Sequence, residues 1–150
     1  MSWSLVLAIL LAPMAAEACK DRRYPPSAPI EEFAQYDHVY VVEIGKVTFI
    51  PGDPEPYIPP FTFQSRIMRA FKGPLQPGQV ITAVTGASKI QGGCSIRLEE
   101  GKTYLLMLNG AQSPYVLPRH GSLYLSSDSP RFQGYVADLT AAAAAGRLGP

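Results

Sequence analysis

The sequence predicts a mainly β domain, five strands wound into a small barrel and finished by a C-terminal helix. Three observations predict it. Alternating apolar and polar runs recur at short spacing between Tyr36 and Leu125, and glycine and proline separate them. After Ser129 the period lengthens, with Phe132, Val136, Leu139 and Ala143 returning every three to four residues.

Residues 1–18 are expected to be a signal peptide and 19–150 the folded domain. Leu5 to Leu11 is apolar, uncharged and too short to cross a hydrocarbon core of about 30 Å. Ala12-Pro13-Met14 breaks the run. Ala16-Glu17-Ala18 then sets small residues at the two positions a signal peptidase requires, which places the cut before Cys19. Met1 to Ser4 supplies no Lys or Arg, so the start amine alone provides the usual positive charge. An uncleaved anchor is disfavoured by length. A lipid-linked cysteine is disfavoured by Glu17, a charge where that pattern needs a small neutral residue. The mature chain is therefore expected to be secreted or periplasmic, with no further membrane span.

Cleavage would leave 132 of the 150 residues, enough for one domain with its own core. All thirteen basic residues lie beyond Ala18 while Glu17 is lost, giving a mature charge of +2. So small a charge makes no case for a nucleic-acid partner.

Lys20 to Pro26 is polar and proline-bearing, an extended arm. Ser27 to Ala34 fits one or two helical turns, with Pro29 in the first. Tyr36 to Ile50 is the first strand. Tyr40, Val42 and Ile44 share one parity and Val47 and Phe49 the other, so a β-bulge is expected at Gly45-Lys46. Pro51 to Pro60 holds five prolines in ten positions and reads as a stiff loop. Phe61 to Phe71 alternates, with Phe61, Phe63, Ile67 and Phe71 on one side and Thr62, Gln64, Arg66 and Lys72 on the other. By the same alternation Arg69 points away from Arg66 and Lys72, which argues against a sulfated-glycan surface. Gln79 to Thr85, Lys102 to Leu108 and Ser122 to Leu125 follow, with a lesser run at Tyr115 to Leu117. Tyr104 to Leu108 is almost wholly apolar and is expected at the centre of the sheet. A helix over about 130–145 closes the chain, with Ser129 as cap, Pro130 in its first turn and Gly146 as its stop. A bulged first strand, about five strands and a covering helix describe a Greek-key barrel of the OB-fold type. A β-sandwich would need more strands.

Enzymatic activity is not expected. His38 reads as a surface or half-buried strand residue, His120 as a turn residue, and no nucleophile–base spacing or phosphate loop accompanies them. Asp37 and Glu43 read as solvated strand residues. Cys19 and Cys94, an even pair in an exported chain, read as a disulfide rather than metal ligands, because neither histidine stands at a ligand spacing. Closing that loop would constrain the unfolded chain by up to about 4–5 kcal/mol in the chain-entropy picture. No cofactor or metal of its own is expected.

The mature N-terminus carries the chemistry. An α-amine with a pKa near ~8 is partly neutral at neutral pH. With the carbonyl oxygen of its own residue it forms a five-membered chelate for a metal with an open position. Two readings stand open from the residues alone: Cys19 staples the arm, or it presents that chelate.

Cys19, Pro29 through Phe33, Tyr36-Asp37-His38-Val39-Tyr40-Val41-Val42, Phe71-Lys72-Gly73, Cys94 and Tyr104-Leu105-Leu106 follow one another in a familiar order. Over Cys19 to Gly110 this order resembles the N-terminal domain of the tissue inhibitors of metalloproteinases, a netrin-module-like family. The resemblance implies an OB-type barrel and a first cysteine, exposed by signal cleavage and bonded to Cys94, whose amine and carbonyl cap a partner enzyme's catalytic zinc. It makes Lys20, Asp21 and Ser95, with the Pro51–Pro60 loop, the surface that meets a zinc metalloprotease. Three departures are visible. Asp21 replaces a second cysteine, Lys20 stands where a small or β-branched residue is common, and the helix from Pro130 replaces a C-terminal disulfide domain. The alternative is a non-inhibitory extracellular or periplasmic module of the same fold that binds a protein or glycan.

Overall fold

The computed structural model describes residues 24–51, 60–85, 96–118 and 124–150. The short helix α1 (Ile30–Phe33) comes first, then β1 (His38–Phe49), β2 (Phe61–Lys72), β3 (Val80–Thr85), β4 (Thr103–Leu108), β5 (Tyr115–Leu117), β6 (Tyr124–Ser126) and α2 (Phe132–Ala144). All six runs with strand character in the sequence are strands. They form one mainly antiparallel sheet in the order β5-β3-β2-β1-β4-β6, with β3 and β5 parallel. The sheet is strongly curled. Just past β4, Asn109 exchanges both backbone hydrogen bonds with Val116 of β5, 2.9 and 2.8 Å, although the two strands stand far apart in the sheet order.

Curling gives the sheet an inside and an outside, and each has a core. Tyr40, Val42, Ile44, Phe61, Phe63, Ile67, Ile81, Leu106 and Leu117 fill the inside together with Ile96 and Leu98. Outside, Val39, Val41, Leu105, Met107 and Leu125 meet Ile30 and Phe33 of α1 and Phe132, Tyr135, Leu139 and Ala142 of α2. β4 is buried on both faces between β1 and β6, which is why Tyr104 to Leu108 reads as a continuous apolar run.

The expected bulge is present. Between Ile44 and Val47 the first strand spends two residues against one of β2, and Val47 therefore packs on the inside with Ile44 despite its opposite parity. A Cβ at Gly45 would sit 3.3 Å from the Gln64 carbonyl oxygen, so the close approach suits glycine.

Two further register shifts lie on β2, and they correct the reading of that strand. Ile67 pairs with Val42 but Arg69 with Val41, and Ala70 pairs with Tyr40 but Lys72 with Val39, leaving Met68 and Phe71 as extra residues. Each extra residue inverts the parity beyond it. Phe71 consequently joins the outer core rather than Phe61, Phe63 and Ile67. Arg69 likewise stands on the same face as Arg66 and Lys72, opposite Val41, Glu43 and Val39 respectively.

Helix α2 ends as expected. Gly146 has φ +69°, its N–H donates to the Ala143 carbonyl, and Arg147 N–H donates to the Ala142 carbonyl. This paired closure satisfies two orphan carbonyls. The start differs: Arg131 precedes the first helical residue, and the Ser129 hydroxyl accepts from Arg131 N–H at 3.3 Å inside a preceding turn. The buried stripe is Phe132, Tyr135, Leu139 and Ala142, with Val136 and Ala143 at its margin.

One buried polar atom of the sheet, Ser65 Oγ, has no hydrogen-bond partner among the described residues. Removing an unsatisfied hydroxyl relieves its desolvation penalty. Ser65→Ala is therefore expected to leave stability unchanged or raise it by up to about 1 kcal/mol in urea titrations. A loss above that would mean the hydroxyl is satisfied.

Candidate functional site

Cys19, Lys20, Asp21, Cys94 and Ser95 lie outside the described residues, as do His120 and the interior of the Pro51–Pro60 loop. The structure does place the chain that follows Cys19 from Tyr24 on and the chain that follows Cys94 from Ile96 on. Downstream of Cys19, the arm from Tyr24 to Pro29 lies along α2. Tyr135 Oη donates to the Pro25 carbonyl at 2.8 Å, Arg131 Nη1 to the Pro26 carbonyl at 3.4 Å, and Ala28 N–H donates to Asp138 Oδ2 at 2.9 Å. The Tyr24 ring meets the Tyr135 ring edge-on at 6.2 Å, and the Tyr24 hydroxyl donates to the Tyr124 carbonyl on β6.

Downstream of Cys94, Ile96 and Leu98 are buried inside the barrel-like sheet, and Glu99 N–H donates to Tyr104 Oη at 3.1 Å. Tyr104 and Tyr124 lie side by side with ring centroids 6.4 Å apart. Both stretches thus reach the β4–β6 pair, the arm on the outer face of the sheet and the stretch after Cys94 on the inner face. Tyr135, Asp138 and Arg131 are not legible in the sequence as arm-holding residues. Their spacing on α2 marks a face, but nothing local says what that face meets.

The resemblance-bearing stretch around His38 forms a second constellation. His38 is 5% exposed, so it is neither a surface nor a half-buried residue. Its Nε2 lies 2.7 Å from the Gly110 carbonyl oxygen, which only accepts, so Nε2 carries the proton. Nδ1 then accepts from Tyr40 Oη at 3.3 Å, and Tyr40 Oη in turn accepts from Leu75 N–H at 3.3 Å. Tyr115 packs edge-on against the imidazole at 4.9 Å. Asp37 Oδ2 accepts from Gly110 N–H at 2.8 Å, and Asn109 Oδ1 accepts from Asp37 N–H at 3.3 Å, which pins the strand following β4. His38 Nε2, Asp37 Oδ2 and Asn109 Oδ1 each hold a backbone group, and the Tyr40 hydroxyl bridges His38 Nδ1 and the Leu75 amide.

Burial holds the Tyr40 phenol above its ordinary value of 10.0; the bond from Leu75 acts against this and Tyr115 adds to it. A folded-state value above the unfolded one contributes stability that is complete below the unfolded value and is lost as pH rises through the folded one. Lys102, raised by hydrogen bonds to Asp128 and then Glu99, acts with the same sign in the same alkaline range. Tyr40→Phe is expected to flatten the fall in stability above about pH 10, read as urea midpoints at matched pH. An unchanged slope would remove Tyr40 from the alkaline transition.

On the outer face of β2, Arg66, Arg69 and Lys72 make a row stepped by two residues of β1, about 7 Å each. Arg69 lies over the Phe71 ring at 5.5 Å, and Lys72 Nζ donates to the Ala34 carbonyl at 2.8 Å. Next to this row Lys46, Thr48, Thr62, Gln64 and Thr82 line a shallow concavity of about 180 Å³. Among the described residues no group of three His, Cys, Asp or Glu side chains is placed to hold a metal ion. No helix among them is long and apolar enough to cross a membrane.

Comparison with known proteins finds no protein-family model that matches the chain and no curated protein that matches it.

Proposed function

We propose that the chain is an exported metalloprotease-inhibitor-like domain whose mature N-terminus, the amine and carbonyl of Cys19, caps the catalytic zinc of a partner enzyme. On this reading the curled six-stranded sheet is a five-stranded Greek-key OB-type barrel with β6 added at its side. The succession of pairings supports it: β1 with β2, β2 with β3, β3 parallel to β5, Val116 of β5 with Asn109 beyond β4, and β4 with β1. Signal cleavage frees the amine, and a Cys19–Cys94 disulfide anchors it. The zinc belongs to the partner. An amine and carbonyl on its open position displace the water needed for hydrolysis, a sufficient inhibitory mechanism.

The observation that carries the reading is that the chain after Cys19 and the chain after Cys94 are both anchored on the β4–β6 pair, from its two faces. Tyr24 is tied to the backbone carbonyl of Tyr124 and Glu99 to the Tyr104 hydroxyl, and the Tyr104 and Tyr124 rings are neighbours on the inner face. Cys19 stands five positions before Tyr24, and Cys94 two positions before the buried Ile96. Extended, these stretches span at most about 17 Å and about 7 Å, which bounds how far from each anchor a disulfide with Cα atoms about 4.4–6.8 Å apart can stand. Lys20, next to the chelate, calls for a partner pocket that holds a carboxylate, because an unpaired ammonium in an apolar pocket costs several kcal/mol.

Purified secreted protein, verified by intact mass and N-terminal sequencing to begin at Cys19 with the disulfide closed, is expected to inhibit a zinc protease at one-to-one stoichiometry. A start elsewhere, two free thiols, or indifference across a panel of zinc proteases would remove the reading.

One observation favours a second reading, a non-inhibitory module for an anionic glycan. The two irregularities of β2 gather Arg66, Arg69 and Lys72 on one face beside a shallow concavity lined by Lys46, Thr48, Thr62, Phe63, Gln64 and Thr82, where plain alternation would divide them.

A further inference from the structure

We propose that α2 is a clamp that sets the position of the N-terminal arm, with Tyr135 and Asp138 as its positioning residues. The link to inhibition rests on the zinc-capping reading, but the clamp itself does not. The arm has no regular structure, and Pro25, Pro26 and Pro29 leave it few amides to donate. Three of its backbone groups, the carbonyls of Pro25 and Pro26 and the amide of Ala28, are each met by a side chain from α2 or from Arg131, the residue before it. These contacts bridge 105 to 110 residues of sequence, so local folding cannot produce them.

The geometry is selective. Tyr135 is fully buried, yet its hydroxyl reaches the arm, and its ring also receives Tyr24 edge-on. Asp138 follows one turn later on the same side of the helix, where an acceptor meets the Ala28 amide. The helix holds backbone groups as well as the Tyr24 ring, so the course of the arm is fixed at Pro25, Pro26 and Ala28 by contacts that do not depend on their side chains. The Tyr24 hydroxyl on the Tyr124 carbonyl adds an anchor from β6. A terminus emerging from such a clamp is oriented by α2 as well as by a disulfide, and prior ordering reduces the cost of docking it on a partner.

Hydrogen exchange on the full secreted chain tests the clamp directly. In Asp138→Ala the Ala28 amide is expected to exchange about tenfold faster, as one lost hydrogen bond to a charged acceptor implies, with the Leu105 amide unchanged as a control for the core. Asp138→Asn, which keeps an acceptor oxygen, is expected to restore most of the protection. Tyr135→Phe keeps the buried ring and is expected to speed tryptic cleavage after Arg22 and Arg23. Equal Ala28 exchange in wild type and Asp138→Ala would overturn the clamp. A zinc-protease assay of the same variants separates the two ideas. Weaker inhibition in Asp138→Ala, recovered in Asp138→Asn, supports both. A loosened arm with undiminished inhibition overturns the claim that the clamp aims the terminus. No inhibition by any form, wild type included, overturns zinc capping while the exchange data still decide the clamp.

Discussion

Gly73→Ala is expected to destabilise the fold by about 3–5 kcal/mol, while Gly78→Ala, a few residues on, is expected to cost about 1–2 kcal/mol. Both glycines have positive φ, +109° and +92°, so both substitutions carry the backbone strain of a side chain in that region. They differ in surroundings. A Cβ at Gly73 would lie 2.2 Å from Tyr40 Oη and 2.5 Å from His38 Nδ1, whereas at Gly78 nothing lies within 4 Å. The two atoms at Gly73 belong to buried rings locked by their own hydrogen bonds, so neither can swing aside cheaply. Urea titrations should show a large midpoint shift for the first variant and a small one for the second, at similar slopes. Equal shifts would mean that the His38–Tyr40 pair is free to move and is no support for the end of the sheet.

Adding a single alanine ahead of Cys19 is expected to weaken zinc-protease inhibition more than about 100-fold, each tenfold being ~1.4 kcal/mol. The physical reason is chemical rather than steric. Acylation turns a basic amine into an amide nitrogen whose lone pair is delocalised into the peptide bond, and the chelate loses one of its two donors. The disulfide, the arm and the sheet are untouched, so thermal stability should not move. Binding to a sulfated polysaccharide through Arg66, Arg69 and Lys72 should not move either, which makes the variant a discriminator between the two functional readings. Full inhibition by the extended protein would leave the zinc-capping idea without support.

What can be read from the sequence follows the range of the forces involved. Strands β1 to β3 declare themselves by alternation and β4 by its continuous apolar run, and the bulge in β1 is marked by Gly45. The bulges of β2 carry no such mark. Met68 and Phe71 are ordinary strand residues, and only pairing with β1 reveals them as extra, so alternation alone puts Phe71 and Arg69 on the wrong faces. Local pattern misreads His38 for a similar reason: its burial comes from Gly110 and Tyr115, more than seventy residues away. The C-terminal stop of α2 is written locally in Gly146, while the stripe that faces the arm, centred on Tyr135 and Asp138, depends on where the arm goes. The residues bearing the proposed chemistry, Cys19, Lys20, Asp21, Cys94 and Ser95, are known through their flanks alone. Those flanks are anchored on opposite faces of the β4–β6 pair through Tyr24, Tyr104 and the Tyr124 carbonyl, which no spacing rule would connect.

Strands β1 and β4 serve as a party wall between two rooms. Val39, Val41, Leu105 and Met107 face the helices, and Tyr40, Val42 and Leu106 look into the other compartment. Neither room keeps its shape if the other is emptied, since both lean on the same backbone ladder. The domain should therefore melt as one unit, and injury to the helical side should be felt at the His38 end of the sheet without any direct contact between them.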